Sequence, residues 1–103
     1  MPLAITLPQQ AIREFCQRWQ IIELSVFGSV LRDNFRPDSD IDILVAFAPT
    51  ANWGLLEHAQ MQQELEAMLG RDVDLISKRA IERSDNWIRR QAILATAQTI
   101  YVQ

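Results

Sequence analysis

Two aspartates one residue apart, Asp40-x-Asp42, stand at the head of an apolar run made of Ile41, Ile43, Leu44 and Val45. Charge is costly beside a strand about to be buried, so two carboxylates there need a physical reason. Side chains alternate along a strand, so Asp40 and Asp42 project from one face, about 6.6 Å apart along the backbone. Ile41, Ile43 and Val45 point the other way, toward a core. Like charges so placed repel unless a cation lies between them. Magnesium suits the pair, because it takes a few carboxylates and completes its shell with waters and phosphate oxygens. A third aspartate, Asp74, interrupts a second apolar stretch, Val73-Asp74-Leu75-Ile76. If the two strands are neighbours, all three carboxylates reach one site. In a two-metal displacement one ion orients a triphosphate and the other activates the attacking oxygen. Asp74 would then stand beside the nucleophile and ease its deprotonation.

Gly28-Ser29 precedes Asp40 by ten intervening residues and meets the remaining need. Glycine lets the backbone come close to a phosphate. A short helix after Ser29 would aim its free amides at that phosphate, and the Ser29 hydroxyl adds one more bond. Arg32, one turn further on, can steady the loop or the anion. Each piece alone also has a plain structural explanation. Asp38, Ser39 and Asp40 fit ordinary turn chemistry, and Asp74 fits a surface salt bridge with Arg71 or Arg79. Two other motifs fail. Asp38-x-Asp40-x-Asp42 opens like a calcium loop, but its sixth position is Ile43 and its twelfth Pro49, where glycine and glutamate are required. No Gly-Lys-Ser/Thr follows a glycine turn, so there is no Walker-type phosphate loop.

Periodicity predicts the elements that must hold these groups. A helix from Pro8 or Gln9 to about Gln20 gathers Ile12, Phe15, Cys16 and Trp19 on one face, with Cys16 a small core residue. Ile21 to Phe27 reads as a strand ending at Gly28. Val30 to Asn34 allows only a short helix before the turn-rich Arg36-Pro37-Asp38-Ser39. Ile41 to Phe47 is the clearest strand. A second long helix spans Trp53 to Leu69, with Leu55, Ala59, Met61, Leu65, Met68 and Leu69 as its apolar positions and Gly70 as its stop. His58 within it reads as a packing or surface residue. Val73 to Ile76 is a third strand, Lys78 to Ser84 a polar connection. A last helix from about Asp85 carries Trp87, Ile88, Gln91, Ala92 and Ala95. Thr99 to Val102 fits an edge strand or the helix end. Trp19 reads as core, while Trp53 and Trp87 fit a core or a partner-facing surface equally. The order implies an α/β (α+β) class: a small mixed β-sheet, its helices on one side.

At 103 residues the chain is expected to form a single domain over residues 1–103. With 49% hydrophobic and 22% charged residues it falls in the soluble globular class. A net charge of -3 argues against broad binding along a nucleic-acid backbone, which needs clustered positive charge. A single cysteine permits no intrachain disulfide. No secretory signal is visible, and no apolar run approaches the ~18 residues of a membrane span. A cytoplasmic location, with no membrane partner, is expected.

Taken in order, the strand, Gly-Ser turn, short helix, Asp-x-Asp strand and later lone aspartate resemble the nucleotidyltransferase superfamily of the DNA polymerase β type. More narrowly, GSVLRDNFRPDSDIDILVAF is similar to the signature of minimal nucleotidyltransferases, the short antitoxin half of HEPN/MNT toxin–antitoxin pairs. Many of those relatives carry glycine after the arginine, where this chain has Asp33. The resemblance implies a polymerase β-like palm fold and transfer of AMP from ATP, with two Mg2+ ions, to a tyrosine of a partner HEPN ribonuclease. It implies Asp40, Asp42 and Asp74 as catalytic metal ligands, and Gly28, Ser29, Arg32, Ser39, Asp40 and Asp42 as nucleotide-binding residues. A chain this short has little sequence to spare for an acceptor pocket, which agrees with an acceptor presented by another protein. Two alternatives stand beside this: an antitoxin that neutralises by direct binding, and a nucleotidyltransferase acting on a small-molecule hydroxyl.

Overall fold

The computed structural model describes residues 8–28 and 40–103. The expected short helix at Val30 to Asn34, and the candidate residues Ser29, Arg32 and Ser39, lie outside the described residues. The elements run α1 (Gln9–Arg18), β1 (Ile21–Phe27), β2 (Ile41–Phe47), α2 (Leu55–Leu69), β3 (Val73–Ser77), α3 (Lys78–Glu82), α4 (Trp87–Thr96) and β4 (Gln98–Val102). The strands form one mixed sheet in the order β3-β2-β1-β4. β1 pairs antiparallel with both β2 and β4, and β2 pairs parallel with β3.

Alternation along β2 decides the layering. Ile41, Ile43 and Val45 are fully buried on one face, where Ile12, Phe15 and Cys16 of α1 and Met61 and Leu65 of α2 meet them together with Leu24, Val26, Val73 and Leu75. α2 ends where Gly70 adopts a left-handed backbone, φ 68°, as a C-terminal stop requires. Its start is later than the sequence suggests. Glu57 Oε1 accepts the Gly54 amide at 3.0 Å, closing the first turn, and Leu55 is 91% exposed instead of buried. Trp53 precedes the helix and packs edge-on against Trp19, ring centroids 5.1 Å apart. Trp53 Nε1 donates to the Trp19 carbonyl at 2.8 Å, and Trp19 Nε1 donates to Glu64. Both rings belong to the core margin; Trp87, at 57% exposure, does not.

The other face is not bare, which corrects the expectation of helices on one side only. Phe27 and Leu44 on that face bury against Ile81 and Ile93. Ile81 sits in α3, so the stretch expected as a polar connection is a helical turn with one apolar anchor among polar neighbours. Five residues with a single buried side chain leave almost no periodic signal. α4 starts two residues after Asp85: Asn86 is its cap, accepting the Arg89 amide on its side chain at 3.1 Å. The ambiguous C-terminal segment resolves as β4. Its pairing with β1 competes successfully with helix continuation, and Ile100 and Tyr101 pack on the main core.

The outer edge of β3 is closed by α2. Ile41 donates to the Asp72 carbonyl, which turns the amides of Val73 and Leu75 away from β2. Glu66 accepts from Val73 N at 3.0 Å, Gln62 from Leu75 N at 3.3 Å, and His58 Nε2 bonds the Leu75 carbonyl at 2.8 Å. Positions 58, 62 and 66 are successive i, i+4 neighbours, so one stripe of the helix serves the whole strand edge. His58 is therefore a packing residue, as the sequence suggests. Among the described residues, no helix is long and apolar enough to cross a membrane.

Candidate active site

Asp42 is directly opposite Asp74 in the parallel pairing of β2 with β3, and opposite Phe27 in the antiparallel pairing with β1. Adjacent strands lie about 4.8 Å apart, and residues in register share a face. Asp42 and Asp74 therefore project together from the face opposite the main core, and Asp40 precedes them on the same side. The backbone brings together the three carboxylates that the sequence singles out. Asp42 is half-buried; Asp40 and Asp74 are exposed. Ion pairs described elsewhere in the fold join Arg18 to Glu64 and Lys78 to Glu23.

Electrostatics follow from that placement. Burial pushes the Asp42 carboxyl above its ordinary range, and the charges of Asp74 and then Asp40 push it further. Arg89 acts in the opposite direction. Among the described residues the side chains do not close into a cluster of three metal-ligating groups. Like charges on neighbouring strands favour rotamers that keep them apart. The donor set itself, hard carboxylate oxygens on one face with repulsion to relieve, fits magnesium in type.

Gly28 closes the β1 side of the site, and the fold gives a reason of its own for glycine there. Its φ is +78°, a backbone that favours glycine, and a Cβ there would collide with Oδ2 of Asp42 and stand 3.3 Å from its Cγ. Glycine thus suits both the left-handed backbone and the close passage of the end of β1 by the Asp42 carboxylate. Two contributors escape the sequence reading. The charge of Arg89 on α4 lowers the Asp42 carboxyl, and Ile93 anchors that helix on the sheet; neither belongs to a local motif, and only tertiary packing brings the helix to the sheet. A cavity of about 710 Å³ opens at the other end of β2, lined by Phe47, Trp53, His58, Lys78 and Arg79 among others, with Glu82 its one acid.

With that geometry in place, comparison with known proteins is informative. The family model of the nucleotidyltransferase domain matches residues 9–98. The protein adenylyltransferase MntA of Thermococcus cleftensis is 39% identical over 70 residues, which span 68% of this chain and 69% of that protein. A solved minimal nucleotidyltransferase superposes with a TM-score of 0.66 at 37% identity, covering 86% of this chain and 85% of the other. A toxin–antitoxin crystal structure with AMP-PNP gives a TM-score of 0.71 at 23% identity, covering 94% of this chain and 75% of the other.

Proposed function

We propose that this chain, which belongs to the nucleotidyltransferase domain family, transfers AMP from ATP to a tyrosine hydroxyl of a partner HEPN ribonuclease and so silences it, as the antitoxin of a toxin–antitoxin pair. The observation that carries this reading is the register pairing of Asp42 with Asp74 on one face, beside the glycine that ends β1. A relative named as a protein adenylyltransferase and a similarly folded toxin–antitoxin complex with AMP-PNP support the donor and the kind of acceptor.

In this reading Asp40, Asp42 and Asp74 hold Mg2+. The bound metal would supply the positive charge that joins triphosphate oxygens to a carboxylate face and lowers the pKa of the attacking hydroxyl. Asp42, half-buried between β1 and β3, is the ligand whose position the fold constrains most. Asp74, exposed on β3, faces the acceptor and receives its proton. Gly28 and the adjoining Ser29, with Arg32 and Ser39, take the nucleotide side. The acceptor oxygen bonds to the α-phosphorus, the bond from that phosphorus to the α–β bridging oxygen breaks, and pyrophosphate leaves. The acceptor comes from another protein, in keeping with the similarly folded toxin–antitoxin complex with AMP-PNP.

The test is transfer of radiolabel from α-labelled ATP with magnesium to the product of the neighbouring gene. Label is expected on a partner tyrosine and absent with Asp74→Asn. Equal neutralisation of the partner by wild type and by an Asp40→Ala/Asp42→Ala double variant would overturn catalysis and establish simple binding.

A further inference from the structure

The helix α4 wears its apolar side chains on the wrong side. Of its residues only Ile93 is buried, and Arg90 is half-buried. Successive helix residues are turned by about 100°, so Arg89 and Arg90 flank Ile93 on the inner half. Trp87, Ile88, Gln91, Leu94 and Ala95 then share an arc of about 120° centred opposite Ile93. Trp87 is 57% exposed, Ile88 65% and Leu94 38%. A surface helix ordinarily turns its apolar stripe to the core and its charges to water. A short helix owes its stability to the packing of such a stripe, and a single buried isoleucine supplies little of it. The outer stripe of α4, the one its periodicity makes conspicuous, is uncovered among the described residues. α3 adds to this layer: Ile81 is buried, while Arg79 and Arg83, two residues to either side, are exposed.

Charge marks the same layer. Residues 78–90 hold half of the chain's ten basic residues but only two of its thirteen acids, Glu82 and Asp85, although the whole chain carries −3. The place of the layer matters as well. Ile81 and Ile93 pack on Leu44, which follows Asp42 on the same face of β2. α3 packs on β2 and β3. Arg90 Nη1 donates to the carbonyls of Glu82 and Ser84, each at 3.3 Å, which ties the first turn of α4 to the end of α3. Gln98, just past α4, pairs with Val26 of β1. α4 therefore starts over the β2/β3 side of the sheet and runs toward β1 and β4. Trp87 and Ile88, at its start, lie on the side that carries Asp74, over the face from which Asp42 and Asp74 project.

We propose that the outer face of α3 and α4 is the docking surface for the protein that presents the acceptor hydroxyl, a partner whose surface offers an apolar groove rimmed by carboxylates. This rests on the adenylyl-transfer reading, in which the acceptor must approach Asp74 over this face. Charge selects the occupant. In a symmetric pair of copies the same patch meets itself, so basic residues would face basic residues, and like charges across an interface are costly. An acidic partner turns the same residues into attraction, and Trp87 is the side-chain type that most often anchors an interface.

The test uses the full chain and the product of the neighbouring gene. By hydrogen exchange, the amides of α4 should exchange quickly in the free chain and slow down in the complex. Calorimetry then compares wild type with Trp87→Ala, Trp87→Phe, the pair Arg79→Glu/Arg83→Glu, and Leu55→Ser, an exposed position on the helix layer across the sheet. Trp87→Ala should weaken the complex about tenfold or more, Trp87→Phe less, and Leu55→Ser not at all. The charge reversal should slow association and flatten its dependence on salt. In labelling assays Trp87→Ala should raise the KM for the partner and leave kcat unchanged. Because Trp87 is exposed, its variants should melt with wild type, and Trp87→Phe separates a contact from a folding defect. Equal affinity in wild type and Trp87→Ala overturns the proposal. So does a complex that leaves α4 unprotected, or the lack of any complex with wild type. A dimer of the free chain that Trp87→Ala dissolves gives the face to a second copy and overturns it too. A complex that depends on Trp87 but takes up no label supports the docking surface and overturns adenylyl transfer. Label on the partner with unchanged affinity in Trp87→Ala does the reverse.

Discussion

Burial, then the charges of Asp74 and Asp40, raise the Asp42 carboxyl, with Arg89 pulling it back. The unfolded chain carries none of this burden, so the ionised carboxylate costs native stability. The cost is absent below the unfolded carboxylate range, about pH 3.9. It grows as pH rises through the folded value and is complete above it. Asp42→Asn should therefore melt higher than wild type at pH 7. The gap should close toward pH 4, and a gap independent of pH would exclude the electrostatic cause. Magnesium should raise the melting temperature of wild type and not of Asp42→Asn, because a ligand stabilises only the state that binds it. Cys16 makes the opposite case, a titratable group with no task at the surface. It is fully buried, and burial pushes its thiol up to about 12. A disulfide reagent at pH 8 should leave it unmodified in the native protein and modify it completely in denaturant.

At the scale of elements, the stripe His58, Gln62 and Glu66 makes α2 a partner of β3 through hydrogen bonds as well as through Met61 and Leu65. Glu66→Ala leaves the Val73 amide without its acceptor and should cost about 1–2 kcal/mol, read as a lower urea midpoint at unchanged slope. This stripe shows where sequence reasoning stops. β1 and β2 are legible to the residue because alternation and branching signal strands directly. The three aspartates are legible because charge amid apolar residues is conspicuous. His58, Gln62 and Glu66 look like any solvated helix face, and only the topology reveals that an open strand edge lies beneath them. Arg89 is hidden for the same reason. Its neighbours Trp87 and Ile88 attract notice but are exposed, while Ile93, which seats the helix, lies outside the expected apolar set.

At the scale of the whole molecule, β4 completes the sheet from the far end of the chain. It covers β1, and Ile100 and Tyr101 close the margin of the main core. Removing residues 98–103 should cost several kcal/mol, since it strips β1 of its ladder partner and uncovers the core beneath the half-buried Ile100 and Tyr101. That is a large share of a total near 5–15 kcal/mol. Loss of a cooperative thermal transition by circular dichroism is the expected result; a truncated chain melting within a few degrees of full length would refute it. The capped edge of β3 has a further consequence, for valence. A sheet with two free edges can join neighbours on both sides and grow without limit, as fibrils do. Here helix side chains occupy the amides that a further strand on the β3 side would need. Edge-to-edge association of the folded chain can therefore proceed in one direction at most, and such a chain stops at pairs instead of propagating into filaments.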